Sequence, residues 1–315
     1  MQVRTIRIGT RGSPLALAQA HEVRTRMMAA HGLLEAVFEI TVIRTSGDRI
    51  QDRPLAEAGG KGLFTKEIEE ALVRGDIDLA VHSMKDVPTA LPEGLGIVAI
   101  LPREDVRDAF VSLRWPSLAA LPQGARVGTS SLRRGAQVRR LRPDLVVVPF
   151  RGNVETRLGK LADGVADATL LACAGLVRLG KADRITKAIE PSEMLPAVAQ
   201  GAIGIEIRLT DPEMATLVGA LNDAASATTV ATERGFLARL EGSCRTPIAA
   251  LATLADGQIV LKGEILTPDG TVAHATARQG AVSDLARLAD DAADELRHRG
   301  GPEFFGGPDF FGGAA

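Results

Sequence analysis

Apolar strand patterns alternate with helical patterns through the first third of this chain, and this alternation constrains the fold more than any other feature. Strand patterns at 4–10, 38–45, 77–83 and 96–101 are interrupted by helical patterns at 13–32 and 65–76. Ser13 fits an N-cap, Pro14 fits the first helical position, and Gly32 fits the residue after the helix. Alternation of this kind predicts α/β layers.

A second α/β unit is predicted from Pro102 onwards. Strand patterns at 125–130, 145–152 and 168–175 each lead into a helical pattern, at 131–142, 153–164 and 176–180. The strand pattern at 202–209 is expected to return to the first unit. Two crossing segments would then join two units across a cleft, which is a common place for ligands.

The pattern changes near Ser226. A helical pattern at 228–242 precedes short strands broken by turns at 255–257 and 267–270, and a helix at 282–300 follows. This order predicts a small α+β domain with an antiparallel sheet. The predicted domains are residues 1–101 with 200–220, residues 102–199, residues 221–300, and a flexible tail at 301–315 that repeats a Gly-Pro-acidic-Phe-Phe unit.

Charge and hydropathy restrict the class of function. The formal net charge of −2 and the pI near 6.3 argue against a general nucleic-acid or membrane-surface role. No apolar run reaches the length of a membrane span. The first ten residues lack the pattern of a secretory signal, so a cytoplasmic location is expected.

Two cysteines, Cys173 and Cys244, are too few for a disulfide framework or a metal knuckle, and no metal site is predicted. Cys173 lies in an apolar run and is interpreted as a core residue at the end of a strand. Cys244 lies in the sequence Gly-Ser-Cys-Arg-Thr-Pro after a helical pattern. The second thiol is therefore expected in an exposed turn.

Five segments at predicted strand ends offer backbone N–H groups at a helix start or a glycine turn, and most carry an arginine or lysine: 9–19, 59–67, 81–89, 127–137 and 150–158. Backbone N–H groups and cations in this arrangement bind anions. The spacing of a phosphate-binding P-loop and a G-x-G-x-x-G after a strand are both missing, which disfavours a nucleotide. Arginine matches planar carboxylates, although a GC-rich genome is an alternative explanation for the arginines as a set.

Arg133 and Arg134 lie in the first turn of a predicted helix that Ser130 and Ser131 would cap. The helix dipole disfavours cations at this end. An anion shared with the helix explains the pair better than a solvated helix face does. Replacement of either arginine by leucine is therefore expected to affect binding more than folding.

Asp86 follows a predicted strand, next to Lys85 and two residues before Pro88. A structural Asx-turn is the alternative to a functional role. A carboxylate among this many cations would serve a substrate that has a positive centre.

Together with 195–206 and 242–250, these segments resemble the porphobilinogen deaminase family, also called hydroxymethylbilane synthase. The resemblance runs in order from Ile8 to about Ala250. The chain departs from the family at Gly12, where many relatives have a larger residue, and at Gly135, where glutamine is commoner. The Phe-rich tail lies outside the resemblance.

The resemblance implies two α/β domains like those of type II periplasmic binding proteins, flanking a cleft, plus the α+β C-terminal domain. It also implies a dipyrromethane cofactor joined to Cys244 by a thioether. Four porphobilinogen molecules are added head to tail with loss of ammonia, and hydroxymethylbilane is released by hydrolysis. Asp86 matches the catalytic aspartate, expected to be ionised, to stabilise the azafulvenium cation and to help collect the released proton.

Site residues are implied by position. The cofactor set is Cys244, Lys61, Ser83, Lys85, Asp86, Thr129, Ser131, Arg133 and Arg134, and the substrate set is Arg11, Ser13, Arg151, Arg157 and Arg178. No metal, nucleic acid or membrane partner is implied, and a monomer is expected. The rival interpretation, a two-domain binding protein, would need export and would have no use for Cys244.

Overall fold

The computed structural model describes residues 5–49, 62–240 and 247–306 of the 315-residue chain. The strands are β1 (Ile6–Thr10), β2 (Phe38–Val42), β3 (Leu79–Ser83), β4 (Leu95–Ile100), β5 (Asp108–Val111), β6 (Arg126–Gly128), β7 (Val146–Val148), β8 (Ala168–Ala172), β9 (Lys187–Ile189), β10 (Ile203–Arg208), β11 (Ile248–Ala255), β12 (Gln258–Leu266) and β13 (Ala273–Ala281). The helices are α1 (Pro14–His31), α2 (Ser46–Arg49), α3 (Lys66–Arg74), α4 (Leu132–Leu141), α5 (Val154–Ala162), α6 (Cys173–Arg178), α7 (Pro212–Gly219), α8 (Ala224–Arg239) and α9 (Leu285–Gly306). No described helix combines the length and the apolar character that a membrane span requires.

The described residues divide into two compact units. The first contains residues 5–49, 62–104 and 201–227, and the second contains residues 105–200 and 228–306. Each unit has a five-stranded sheet, and the second unit also has a three-stranded antiparallel sheet. The predicted fold class is confirmed: the chain has two α/β regions, each with its own sheet, and a small C-terminal region with an antiparallel sheet. The finer domain boundaries drawn from the sequence stay a prediction.

The first sheet has the strand order β2-β1-β3-β10-β4. β1 pairs in parallel with β2 and β3, whereas β10 pairs antiparallel with β3 and β4, so the predicted return of the chain after residue 200 is confirmed. Helix α1 begins as predicted, since Ser13 Oγ accepts a hydrogen bond from Ala16 N at 3.3 Å. It ends at Gly32, whose φ of 64° suits glycine.

The second sheet has the strand order β7-β6-β8-β5-β9. Strands β6, β7 and β8 run parallel, and β5 pairs antiparallel with β8 and β9. The buried side chains of Phe110, Val127 and Leu170 pack in its core. β5 and β9 have four and three residues, and the sequence analysis predicted neither because such short runs show no clear period.

The C-terminal sheet, β11-β12-β13, is a meander whose turns fall at the two predicted positions. Helix α8 packs on it so closely that a Cβ at Gly263 would lie 2.5 Å from the Phe236 ring. Ala250 N donates a hydrogen bond of 3.2 Å to Pro196 O, which ties this sheet to the rest of its unit.

Helix α9 is interrupted at Gly301, where φ is 73° and ψ is 172°. A short helical stretch then continues to Gly306 inside the predicted tail. In this stretch Phe304 contacts His274, with a distance of 5.7 Å between the ring centroids. Residues 307–315 lie outside the described part of the chain, and the flexibility of the tail stays a prediction.

Candidate active site

In the first unit, two neighbouring parallel strands end at the same edge of the sheet. Arg11 directly follows β1, and a 3₁₀ turn at Met84–Asp86 directly follows β3. The carboxyl ends of parallel strands are where α/β sheets present ligand-binding groups. The predicted residues Arg11, Ser13, Ser83, Lys85 and Asp86 all belong to this edge or to the segments that leave it.

Among the described residues, Arg11 contacts Asp48 and Phe64. Its Nε lies 3.2 Å from Asp48 Oδ1, and its guanidinium carbon lies 4.1 Å from the centre of the Phe64 ring. Burial alone would raise the pKa of Asp48, but the bonds from Arg11 outweigh burial and lower it. Sequence reasoning missed Asp48 and Phe64, although both lie in glycine-containing segments next to predicted elements.

Ser13 and Ser83 are linked to α1. Ser13 caps this helix, and Gln19 on the helix exchanges hydrogen bonds of 2.9 and 3.0 Å with Ser83 Oγ. Gln19 is itself buried. These bonds hold the start of α1 against the end of β3, just before Asp86.

Asp86 is half-buried, and within the described residues its carboxylate has no hydrogen-bond or ion-pair partner. The usual Asx-turn needs the N–H of the residue two positions on, which here is Pro88 and has none. The structure therefore gives the Asx-turn alternative no support. Lys85 lies beside Asp86 in the same turn.

In the second unit, β7, β6 and β8 are parallel neighbours, and the segments after them carry the predicted site residues that the structure describes in this unit. Thr129 N donates to Val148 O at 3.0 Å, and Phe150 N donates to Ser130 Oγ at 2.9 Å. These bonds join the segments after β6 and β7. Ser131 caps α4, as predicted, by accepting from Arg134 N at 3.4 Å. The prediction that Ser130 also caps this helix is wrong, because its Oγ accepts from Phe150 N.

Arg133 and Arg134 share an anion, as the sequence argument required, but this anion belongs to the protein. Asp108, at the start of β5, is fully buried and accepts from Arg133 Nη1 and from Arg134 Nη2, each at 2.7 Å. Burial would raise the pKa of Asp108, but the two guanidinium groups outweigh burial and hold it well below its usual range.

The premise of the leucine expectation, that each replacement removes only an unfavourable N-terminal cation, is therefore wrong. That binding would suffer more than folding stays a prediction. Each replacement would leave the buried Asp108 carboxylate with one guanidinium fewer. Contact between these arginines and the cofactor is a separate matter and stays a prediction.

The remaining arginines lie on or near α5 and α6. Arg157 Nε donates to Gly152 O at 2.9 Å, and Arg151 O accepts from Lys160 Nζ at 3.1 Å. Gly152 has a φ of 117°, which favours glycine, and a Cβ there would lie 2.5 Å from Thr156. Arg178 is the last residue of α6, one helix away from the end of β8.

The two cysteines differ in what the structure describes. Cys173 is fully buried as predicted, but it is the first residue of α6 rather than a strand end. Burial raises the pKa of its thiol to about 12, so the reactive thiolate is rare at neutral pH. Cys244 and Lys61 lie outside the described residues.

The described residues also offer unused donors for an anionic cofactor. Arg133 Nε and Arg151 Nη1 are both buried, and neither has a hydrogen-bond partner. A buried guanidinium N–H without an acceptor is costly, and a carboxylate would satisfy it. The chemistry of these donors therefore fits a cofactor that carries carboxylates.

These features define a class of protein: an α/β protein whose strand ends carry cations suited to carboxylates, and in which the aspartate after β3 has no partner among the described residues. Residues 6–216 match the family model described as "Porphobilinogen deaminase, dipyromethane cofactor binding domain", and residues 227–298 match "Porphobilinogen deaminase, C-terminal domain". The chain belongs to the porphobilinogen deaminase family. It is accordingly a transferase of tetrapyrrole biosynthesis with a dipyrromethane cofactor-binding domain.

Individual relatives are similar over nearly the whole chain. The porphobilinogen deaminase of Paracoccus denitrificans is 61% identical over 300 residues, which cover 95% of this chain and 96% of the relative. That of Nitrobacter hamburgensis is 58% identical over 298 residues, which cover 95% of this chain and 94% of the relative.

Among solved structures, the VFT2 domain of Bordetella pertussis BvgS (double mutant) aligns with a TM-score of 0.42 and 17% identity, covering 73% of this chain and 91% of that one. A periplasmic substrate-binding protein of an ABC transporter from Coxiella burnetii aligns with a TM-score of 0.41 and 16% identity. The alignment covers 73% of this chain and 97% of that one.

Proposed function

We propose that this enzyme joins four porphobilinogen molecules head to tail, with loss of one ammonia each, and releases hydroxymethylbilane by hydrolysis. The observation that carries this proposal is Asp86, a half-buried carboxylate at the end of β3 whose oxygens no described residue occupies. An acceptor that the protein leaves unused is available to a ligand that donates hydrogen bonds or carries positive charge.

Asp86 has two tasks in this proposal. As an anion it accepts from the pyrrole N–H of the substrate and stabilises the positive charge that develops as ammonia leaves. The same carboxylate then takes the proton that the coupled ring loses. The turn at Met84–Asp86 holds this group in place, since Val87 N donates to Met84 O at 3.3 Å.

The cations bind the acetate and propionate groups of the substrate and the growing chain. Arg151 supports this role with its buried and unpartnered Nη1, while Arg11, Arg157 and Arg178 add positive charge. Ser13 lies at the N-terminal end of α1, where the helix dipole favours anions.

The dipyrromethane cofactor supplies the pyrrole carbon to which the first substrate unit is joined. Cys244 would anchor it through a thioether, and Arg133, Arg134, Thr129, Ser131, Ser83, Lys85 and Lys61 would bind its carboxylates and orient it. Arg133 Nε is the buried donor that supports this assignment. A protein of this kind is proposed to act as a monomer in the cytoplasm.

The role of Asp86 predicts a clear kinetic result. Asp86→Asn keeps the size of the side chain but removes its charge, so the initial rate of porphobilinogen consumption should fall at least about a hundredfold. Asp86→Glu keeps the charge at a displaced position and should retain a small residual rate. Both variants are measured as cofactor-loaded protein.

Asp76→Asn is the matched control, because Asp76 is an exposed carboxylate of the same unit that pairs with Arg74. Its rate should equal that of the wild type. A wild-type rate for Asp86→Asn would remove Asp86 from the mechanism.

Cys244 is tested by the intact mass of the denatured protein. The wild type and Cys173→Ser should both carry extra mass equal to two linked porphobilinogen-derived rings, whereas Cys244→Ser should carry none and should turn over little substrate. Extra mass on Cys244→Ser, or none on the wild type, contradicts the attachment.

A further inference from the structure

Asp108 is a buried carboxylate that the proposed reaction does not use. It accepts from Arg133 through Nη1 at 2.7 Å and Nη2 at 3.2 Å, and from Arg134 through Nη2 at 2.7 Å and Nε at 3.0 Å. Gln200 Nε2 adds a fifth bond at 3.0 Å. One carboxylate therefore fixes the orientation of two guanidinium groups at the start of α4.

Taken by themselves, the two arginines and Asp108 carry one more positive than negative charge. Two guanidinium groups, each on a residue that is 5% exposed, face one carboxylate that is fully buried. Burial lowers the pKa of Arg133, and Asp108 opposes this effect. Glu264, which accepts a hydrogen bond from Gln137, also opposes this effect, so its carboxylate offsets part of the second positive charge.

The bonds within the cluster leave one donor of Arg133 unused. Arg133 Nη1 donates to Asp108, to Gln137 Oε1 and to Leu195 O, the last two at 2.9 Å. Its Nε is buried and has no acceptor among the described residues. The Nε edge of a guanidinium group is one of its two carboxylate-binding edges. Asp108 therefore holds Arg133 in an orientation that keeps this edge for another group.

The same cluster is tied to the C-terminal part of its unit. Gln137 Nε2 donates to Glu264 Oε2 on β12 at 3.1 Å. Glu233 on α8 makes a second link, because its carboxylate accepts from Ala199 N at 2.7 Å and from Ala252 N on β11 at 2.8 Å. β11 begins four residues after Cys244 in the sequence.

We propose that Asp108 is a positioning residue for the cofactor: it fixes Arg133 and Arg134 so that Arg133 Nε faces a cofactor carboxylate. The bonds of Gln137 and Glu233 join the segments around this cluster to β12 and β11 of the same unit. The inference rests on the proposed function, since it needs a cofactor attached to Cys244. A buried guanidinium N–H that no described residue satisfies is open to a ligand that accepts hydrogen bonds.

The experiment measures cofactor acquisition. Apo-protein is produced in a host that cannot make porphobilinogen and is then incubated with porphobilinogen, and the gain of cofactor mass is followed by intact mass spectrometry. Asp108→Asn should acquire this mass at least about tenfold more slowly than the wild type, the cost of one charge-assisted hydrogen bond.

Asp78→Asn provides a matched control for lost stability. Asp78 is also fully buried and is also held by two arginines, through Arg7 Nη2 at 3.0 Å and Arg208 Nη2 at 3.6 Å, but it lies in the first unit outside the proposed site. Both variants should unfold at a lower temperature than the wild type, but Asp78→Asn should acquire the cofactor at the wild-type rate.

The outcomes separate the two proposals. Wild-type acquisition by Asp108→Asn, or equal slowing in Asp78→Asn, overturns the positioning role while the proposed function stands. A wild type that never gains mass overturns the proposed function and this inference with it. If Asp108→Asn does not fold, cofactor acquisition is measured on Gln137→Met, which loses the hydrogen bonds to Arg133 and Glu264. Slow acquisition by this variant supports the positioning role, and acquisition at the wild-type rate overturns it.

Discussion

At the scale of single residues, Arg134 shows why a sequence neighbour is a poor guide to a partner. The sequence places Arg134 near a helix dipole that disfavours it, whereas the structure places it against Asp108, 26 positions away. Its Nη1 also donates to Leu170 O at 3.1 Å. The side chain thus joins β5 and β8 to the start of α4.

Arg134→Leu should therefore destabilise the folded protein. It leaves the buried Asp108 carboxylate short of one guanidinium, and the free energy of unfolding should fall by about 3–5 kcal/mol. Urea unfolding of the apo-protein measures this change. Arg126→Leu, at a half-exposed arginine of the same unit, should cost less than about 1 kcal/mol. Equal costs for the two variants would mean that the cluster adds nothing to stability.

At the scale of elements, helix α5 shows how one cap positions several groups. Asn153 Oδ1 accepts from Thr156 N and from Thr156 Oγ1, both at 2.9 Å. Arg157, one turn into the helix, donates back to Gly152 O. The cap therefore fixes the angle between the segment that carries Arg151 and the helix that carries Arg157.

Asn153→Ala removes this cap and should reduce the free energy of unfolding by about 1 kcal/mol. If Arg157 binds substrate carboxylates, the KM for porphobilinogen should rise while the fraction of cofactor-loaded protein stays unchanged. Asp211→Ala is the comparison variant: Asp211 caps α7 in the first unit by accepting from Met214 N at 3.0 Å. Its stability loss should be similar and its KM unchanged, so a raised KM in both variants contradicts the positioning argument.

The elements that the sequence predicted are those with long, clear patterns. The cap at Ser13, the end at Gly32 and the return of residues 202–209 to the first sheet follow from local chemistry and alternation. The cationic strand ends were also found this way. Asp108 was missed, because it begins a strand of four residues and its partners lie at least 25 positions away. Only tertiary packing shows that this carboxylate occupies the arginines.

At the scale of the whole molecule, the net charge of −2 does not show how the charged groups are distributed. Buried carboxylates in both units are held by arginines, as at Asp78 and Asp108, and buried N–H groups remain unpaired at Arg133 and Arg151. A molecule that is slightly anionic overall thus keeps unused cationic donors for a ligand with several carboxylates. Unsatisfied buried donors lower the stability of the cofactor-free protein.

The cofactor-loaded wild type should therefore unfold at a higher temperature than Cys244→Ser, by at least about 2 °C. Cofactor carboxylates satisfy the buried donors in the folded state alone, so they stabilise that state. Differential scanning fluorimetry measures the midpoint of unfolding. Wild-type apo-protein serves as the control and should match Cys244→Ser. If the cofactor-loaded protein unfolds at the same temperature as the apo-protein and Cys244→Ser, these donors do not bind the cofactor.

The position of β10 between β3 and β4 also has a consequence for synthesis on the ribosome. β3 and β4 are made before residue 101, yet the strand that separates them ends at Arg208. Until that strand has left the exit tunnel, the facing edges of β3 and β4 carry unpaired backbone groups. Synthesis begins with the first unit, but its sheet cannot be completed until about a hundred residues after β4 have also been synthesised. A ribosome that stalls between β4 and β10 leaves a nascent chain whose unpaired strand edges can aggregate. We therefore expect chaperones that act at the ribosome to bind the incomplete first unit.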